Sequence, residues 1–286
     1  MAAVPQRPGP AGRSRAVRNA LSSAALVLVA GLIGGCATSS PELAAPRPQP
    51  SVTATVQATT APAKDEKPLA GRTIVVDPGH NGKYQKSFNT KKVPAGNGKK
   101  KACNSSGTTG KKLTEHAYNW AQAGLLKAEL ERRGATVLLT RKNDAGLGPC
   151  VDKRAKVAND AKAGLLISIH ADGSYAAKAR GFHIIVSTTM AGGSGLEKTS
   201  QKLAKLARTE LAAHTAMPRS TYIGRGTALS SRSDIATLNL LTATPGIMME
   251  MGNMRHSKDL TLLKSKAFRL QVAQALADAA QSLLNG

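Results

Sequence analysis

The sequence predicts an α/β fold, in which residues 71–286 form a single domain with a twisted, mostly parallel (mixed) central sheet flanked by helices. Two observations support this prediction. Short β-branched runs alternate with segments whose apolar residues recur at helical spacing, and no internal repeat is apparent. A segment of this length buries enough apolar surface for one domain of this class.

The first half of the domain begins with the β-branched run Thr73-Ile-Val-Val76, so a strand is predicted over 72–77. A helix is predicted over 114–133, because its apolar residues follow helical spacing, and Gly134 suits the residue that ends it. A strand over 135–140, a helix over 151–163 and a buried apolar strand over 164–170 follow.

The second half continues the alternation of strand and helix. Apolar and β-branched runs predict strands over 181–187 and 245–250, and a helical pattern separates them over 196–214. One long amphipathic helix over 257–284 is predicted to close the chain.

The first 36 residues have the features of a signal peptide. Four arginines precede a short apolar stretch, and the segment closes on the small-residue run Gly34-Gly35-Cys36. This run resembles a lipoprotein-type cleavage box, in which Cys36 would carry the lipid. An ordinary cleaved signal or an uncleaved anchor is the alternative, and each of these predicts an exported protein.

Residues 37–70 are rich in Pro, Ala and Thr and show no apolar periodicity. Such a composition does not bury enough surface to offset its ordering entropy, so a disordered linker is predicted. The linker would separate the domain from the membrane. The domain would then lie at the outer face of the membrane, in the periplasm or in the cell wall.

The chain carries 40 Lys and Arg against 17 Asp and Glu, a net charge of +23. This balance suits an anionic partner. However, aromatic residues make up only 3% of the chain, which argues against a base-stacking surface. The three cysteines are too few for a disulfide scaffold and lack zinc-finger spacing. No nucleic acid partner is predicted, although a basic nucleic-acid-binding protein remains an alternative class.

Potential metal ligands follow the predicted strands. His80 comes after the first strand, His170 ends the central one, Glu250 ends the last, and Glu115 begins the first long helix. Because sites in α/β sheets collect beyond the carboxyl ends of strands, these side chains are expected to converge. Two imidazoles and one carboxylate form a typical catalytic zinc site, and a further carboxylate would serve as base.

Five segments resemble zinc-dependent N-acetylmuramoyl-L-alanine amidases, and they occur in the order seen in that family. The segments are Val76–His80, Leu113–Asn119, Arg154–Asn159, Ile167–Asp172 and Pro245–Gly252. The resemblance implies that His80, Glu115 and His170 bind one Zn²⁺ ion and that Glu250 is the catalytic carboxylate. The basic insert and the cysteine pair look most like those of mycobacterial and related actinobacterial members.

The implied activity is hydrolysis of the amide between N-acetylmuramic acid and L-alanine in peptidoglycan, in cell-wall remodelling or recycling. Peptidoglycan or muropeptides would be the partner of a monomer that meets the membrane only through Cys36. Two alternatives remain, a zinc peptidase cutting within the stem peptide and a non-catalytic peptidoglycan-binding protein. Asp172, where Asn is commoner, and Asn253 to Arg255 depart from the family pattern and leave substrate preference open.

An insert between Pro78 and Leu113 carries nine lysines and no acid. A hairpin or mobile loop beside the metal site is predicted, which is either solvated or draws anionic wall polymers towards the metal. Cys103 lies in this insert and Cys150 precedes a helix. Because exported proteins meet oxidising conditions, a Cys103–Cys150 bridge is predicted, with two free thiols as the alternative.

Overall fold

The computed structural model describes residues 67–286. The predicted signal peptide, Cys36 and nearly all of the predicted linker lie outside these residues. The ten strands of the described part are β1 Thr73–Pro78, β2 Lys92–Pro94, β3 Lys100–Ala102, β4 Thr109–Gly110, β5 Leu113–Thr114, β6 Thr136–Leu139, β7 Leu165–Asp172, β8 His183–Ser187, β9 Leu229–Arg232 and β10 Gly246–Asn253. Its seven α-helices are α1 Lys86–Asn89, α2 Glu115–Arg132, α3 Val151–Asp160, α4 Gly193–His214, α5 Ala236–Asn239, α6 Ser257–Lys264 and α7 Lys266–Asn285.

Six strands form the central sheet in the order β6-β1-β7-β10-β8-β9. All neighbouring pairs run parallel except β10 and β8, which run antiparallel. The predicted α/β class with a mostly parallel mixed sheet is therefore confirmed. The strands β1, β7 and β10 are adjacent, so their carboxyl ends lie side by side at one edge of the sheet.

The two faces of the sheet carry separate apolar cores, because successive side chains of a strand point to opposite faces. Helices α2, α4 and α7 cover the larger core, which contains Val76, Ile167 and Met249. The short helices α3 and α5 cover the smaller core, which contains Leu166 and Met248. Towards the carboxyl ends of the strands, this second face carries polar side chains instead.

The prediction of one long C-terminal helix over 257–284 is wrong, because the structure has two helices there, α6 and α7. Ser265 separates them with an extended backbone, φ −74° and ψ 124°, and its hydroxyl accepts a hydrogen bond from the Phe268 amide. Ser265 thus caps the N-terminus of α7. Its side-chain hydrogen bond to the backbone replaces the helical hydrogen bonds that would continue α6 into α7. Strand β9 was not predicted, because its sequence, Leu-Ser-Ser-Arg, has no strand-like apolar pattern.

The lysine-rich insert forms two small hairpins, β2–β3 and β4–β5, and packs against the body of the domain. The Asn239 side chain donates to the Ala95 carbonyl at 2.8 Å, and Asn97 donates to the Ser233 carbonyl at 2.7 Å. Of the two predicted alternatives, a hairpin or a mobile loop, the insert therefore forms hairpins. At the start of the described chain, Leu69 is fully buried and its amide bonds to the Arg133 carbonyl. None of the helices described is both long and apolar enough to cross a membrane.

Candidate metal centre

Strands β7 and β10 bring His170 and Glu250 together. The two residues are direct register partners on adjacent parallel strands, so their side chains emerge on the same face of the sheet. The register shifts between Glu250 and Asn253, an irregularity of the kind often found beside active sites. His80 follows strand β1 on the other side of β7, as the order of the strands requires.

Glu115 begins helix α2 and reaches over the carboxyl edge of the sheet. Its Oε1 atom lies 3.0 Å from His80 Nε2 and 2.9 Å from His170 Nδ1. The ligand atoms of these three residues all lie within 4.8 Å of one another. Each predicted ligand is therefore in one cluster, and the cluster is able to hold a metal ion.

The His80 ring is held from the side opposite Glu115. Its Nδ1 atom lies 2.9 Å from the Ser105 carbonyl oxygen, which orients Nε2 towards the cluster. The His80 backbone is left-handed, with φ 59°, an uncommon conformation for a residue with a side chain. Arg154 stabilises this conformation, since it donates to the His80 carbonyl at 2.7 Å.

Asp77 and Arg154 form a buried ion pair beneath the loop that carries His80. Arg154 Nη1 lies 2.6 Å from Asp77 Oδ1 and 2.8 Å from the Pro78 carbonyl oxygen. Thr140 and Ser168 also donate to the Asp77 carboxylate. From its place before the Pro78-Gly79 turn, Asp77 was expected to fix the ligand loop or the His80 ring, with a turn cap as the alternative. Its bonds reach the ligand loop through Arg154.

Gly79 was not singled out from the sequence, although the site depends on it. A Cβ atom built on Gly79 would lie 2.1 Å from His170 Nε2, closer than any side chain tolerates. The only signal available in the sequence was a glycine between Pro78 and His80. Only the packed structure shows that the His170 ring occupies the space where a side chain would begin.

Glu250 lies in the same cleft as the cluster, and its Oε2 atom is buried without a hydrogen-bond partner among the described residues. Burial raises the pKa of Glu250 well above its usual range, and the negative charges of Glu115 and Asp172 raise it further. A buried carboxyl group with a free oxygen and a raised pKa is suited to accept and return a proton.

Within the cluster, the pKa values of Glu115 and His170 are lowered, whereas the pKa of His80 is raised. Burial opposes ionisation of Glu115, but the two imidazoles beside it outweigh that effect and lower its pKa. Burial also lowers the pKa of His170, which favours the neutral imidazole that binds metals. The pKa of His80 is raised despite burial, because Glu115 lies next to its ring.

The cleft around the cluster has a volume of about 480 Å³. The ends of β1, β7 and β10 line one side, and the insert segment 101–108 lines the other. Cys103 and Cys150 form the predicted disulfide, with a Cα–Cα distance of 4.4 Å. The disulfide therefore joins the segment that contacts His80 to the start of α3.

Asp172 lies at the rim of the cleft, as its position two residues after His170 suggested. Its carboxylate accepts a hydrogen bond of 2.8 Å from the Tyr222 hydroxyl. Burial raises the pKa of Tyr222, so this hydroxyl keeps its proton. Tyr222 was not identified from the sequence, because it lies in a loop without any motif and is separated from Asp172 by 50 residues.

Comparisons with known proteins agree with this geometry. The family model described as N-acetylmuramoyl-L-alanine amidase (Amidase_3) matches residues 74–282. The N-acetylmuramoyl-L-alanine amidase Rv3717 of Mycobacterium tuberculosis is 39% identical over 209 residues, which cover 73% of this chain and 84% of that protein. The probable cell wall amidase LytH of Staphylococcus aureus is 27% identical, over 75% of this chain and 59% of its own length.

A solved structure is similar as well. The apo form of the amidase Ami1 from Mycobacterium abscessus superposes with a TM-score of 0.71 at 36% identity, and the match covers 76% of this chain and all of that one. The family match includes every residue of the cluster and Glu250. The chain belongs to the N-acetylmuramoyl-L-alanine amidase family.

Proposed function

We propose that this protein uses zinc to hydrolyse the amide bond between N-acetylmuramic acid and L-alanine of the peptidoglycan stem peptide. The observation that carries the proposal is the convergence of His80, Glu115 and His170 with Glu250 in one cleft. Family membership supports the choice of this bond, because the matching family is described by it.

The donor set fits zinc. His80, His170 and Glu115 supply two imidazole nitrogens and one carboxylate oxygen, the combination found in catalytic zinc sites with three protein ligands. Two contacts from the insert favour metal binding, since Ser105 orients His80 and the Thr108 amide donates to Glu115 Oε2 at 2.9 Å. When bound, zinc would supply Lewis-acid polarisation of the amide carbonyl and of the attacking water.

Glu250 is proposed as the base and acid of the reaction. It shares a face of the sheet with His170 and lines the cleft in which the amide would lie, and its Oε2 atom has no hydrogen-bond partner among the described residues. Glu250 would accept a proton from the attacking water and return it to the leaving amine of L-alanine. The negative charges of Glu115 and Asp172 increase its affinity for the proton.

The proposed cellular context follows from the N-terminal sequence and the relatives. Residues 1–36 would export the chain, Cys36 would anchor it by lipid, 37–70 would act as the linker, and 71–286 would form the catalytic domain. A monomer at the outer face of the membrane, in the periplasm or in the cell wall would then act in remodelling or recycling. Carboxylate peptides and anionic wall polymers fit the lysine-rich insert.

Mass analysis of muropeptides digested by the whole protein tests this function. The expected products are a muramic acid with a free lactyl carboxylate and an intact peptide, and a chelator should stop their formation until zinc is restored. Cleavage inside the peptide would favour the stem peptidase instead. Binding without any new product would favour the non-catalytic peptidoglycan-binding protein.

A further inference from the structure

A second cavity, also of about 480 Å³, lies next to the metal cleft. Gly173 lines the metal cleft, and the next residue, Ser174, lines this cavity, which we name the Arg255 cavity. Residues 174–177 form one wall and residues 253–257 form another, while Lys111 closes the side towards the insert. The two cavities are therefore adjacent at the residues that follow strand β7.

The two cavities differ in their charged side chains. The metal cleft contains the carboxylates of Asp77, Glu115, Asp172 and Glu250, together with Lys101 and with Arg154, which pairs with Asp77. The Arg255 cavity is lined by Arg255 and Lys111 and by no carboxylate. The acid nearest along α6, Asp259, is fully buried and paired with Arg180. The charge at this end of the substrate path therefore favours an anionic group.

Arg255 has unused hydrogen-bonding capacity. Its Nε atom donates to the Gly173 carbonyl at 3.1 Å, and its guanidinium carbon lies 3.9 Å from the centre of the Tyr175 ring. The two terminal nitrogens have no partner and the residue forms no salt bridge within 67–286. These nitrogens are the pair with which arginine binds a carboxylate in a bidentate manner.

The position of Arg255 is set by a buried asparagine. Asn253 is only 1% exposed, and its side chain donates to the carbonyls of Ser174 and Ala179 at 3.0 and 2.7 Å. Its side-chain oxygen accepts a bond from the Arg255 amide at 3.0 Å. Asn253 thus ties the backbone of Arg255 to the wall that contains Ser174, while the guanidinium itself contacts the Gly173 carbonyl and the Tyr175 ring.

The reach of the substrate identifies the ligand, and this step rests on the proposed function. Ser174 is four residues beyond His170, a separation of at most about 14 Å along the chain. An extended peptide advances by about 3.5 Å per residue, so the third residue of a stem peptide whose first amide lies at the metal extends about 10 Å from it, which is within this upper bound. We propose that the Arg255 cavity binds a free carboxylate on the third residue of the stem peptide, and that Arg255 is its principal ligand.

Two matched substrates test the proposal with the whole protein. One is an N-acetylmuramoyl tripeptide with a free carboxylate on the side chain of its third residue, and the other carries a primary amide there. The unaltered protein should have a kcat/KM at least about tenfold higher for the free acid, the size expected of a charge-assisted hydrogen bond. Arg255→Gln should remove this preference by raising KM for the free acid, while kcat/KM for the amide stays within about twofold.

Lys205→Gln is the matched control, because Lys205 is an exposed cation on α4 that lines neither cavity. It should leave the preference unchanged, and zinc content should be equal in all three proteins. An Arg255→Gln variant that loses activity equally on both substrates would overturn the proposal. So would a variant that is impaired only on walls bearing phosphate polymers.

Failure of the function itself gives a different result. If the unaltered protein cleaves neither tripeptide at the lactyl amide, the proposed function fails. If it cleaves both at equal rates, the function stands and the Arg255 cavity is not a carboxylate subsite.

Discussion

The His170 ring packs directly against the backbone of Gly79 and leaves no space there for a side chain. A Cβ atom on Gly79 would lie 2.1 Å from His170 Nε2 and 2.2 Å from Cε1. The His170 ring is also in contact with Glu115, at 2.9 Å. The position of the His170 ring, a proposed metal ligand, is therefore limited on one side by backbone and on the other by Glu115.

Gly79→Ala should displace the His170 ring and weaken metal binding. A displacement of about 1 Å at a reacting centre can cost about 100-fold in rate, so kcat/KM is expected to fall by at least that factor. Zinc retained after dialysis and kcat/KM on a muropeptide measure the two effects. Gly124→Ala is the control, because a Cβ atom there meets nothing within 4 Å. An alanine at 79 that left zinc content and activity unchanged would contradict the packing argument.

Glu250→Gln should separate metal binding from catalysis. Glutamine keeps the shape of the side chain but does not accept a proton, and Glu250 makes none of the close contacts that join the three ligands. We expect kcat to fall by about 100-fold to 10,000-fold while the zinc content stays the same. Glu131→Gln, an exposed change on α2, should have no effect. Loss of zinc from Glu250→Gln would mean that Glu250 is itself a ligand.

The convergence of His80, His170 and Glu250 was predictable because each follows an apolar run, and parallel strands align their carboxyl ends. Glu115 was harder to assign from the residues alone, since a glutamate at a helix start is usually explained by the helix dipole. The resemblance to a family supplied its role, and the structure brings it into contact with both imidazoles.

Other parts of the site carried no periodic signal. Arg154 lies in an ordinary helix, and its burial with Asp77 depends on a contact across 77 residues of sequence. Tyr222 and Arg255 lie in segments whose positions depend on how loops pack. Such long-range contacts decide which polar side chains line the cavities, and a local pattern of apolar residues contains no information about them.

Asp77→Asn should make the free energy of unfolding less dependent on pH in the acid range. The pKa of Asp77 is held below its usual range, because Arg154 and the hydroxyls of Ser168 and Thr140 outweigh the effect of burial. A lowered pKa in the folded state stabilises the fold above the unfolded-state pKa of about 3.9, and this stability is lost as the pH falls through the folded-state value. The variant should therefore be less stable by about 3 to 5 kcal/mol at pH 7, since Arg154 loses its charged partner.

The measurement is urea unfolding at a series of pH values from 7 down to 3, with circular dichroism as the signal that monitors unfolding. The difference in free energy between the two proteins should shrink below about pH 5, where Asp77 in the unfolded chain begins to bind protons. Asp160→Asn is the control, because the Asp160–Lys156 pair is 60% exposed on both sides. That change should cost less than about 1 kcal/mol. A pH-independent difference for Asp77→Asn would show that packing, not charge, accounts for its effect.

Replacing both Cys103 and Cys150 with serine should weaken the fold and the metal site together. The disulfide closes a loop between residues 47 positions apart, and the chain-entropy model gives about 4 kcal/mol for a loop of this length. Two residues beyond Cys103, the Ser105 carbonyl contacts His80, and further along the Thr108 amide donates to Glu115. Release of this segment should therefore free two of the three ligands from the contacts that orient them.

Two measurements on the double serine variant distinguish its effects. Urea unfolding of the metal-free proteins gives the loss of stability, and competition with a chromogenic chelator gives the zinc affinity of the folded protein. We expect both to decrease, with a loss of affinity of about 10-fold to 100-fold, the range reported for groups that orient metal ligands. Ser87→Ala, in the short helix α1 of the same insert, is the control, because its hydroxyl contacts only Gln85. If stability falls but zinc affinity does not, the disulfide acts on the unfolded chain alone, and the contacts of Ser105 and Thr108 persist without it.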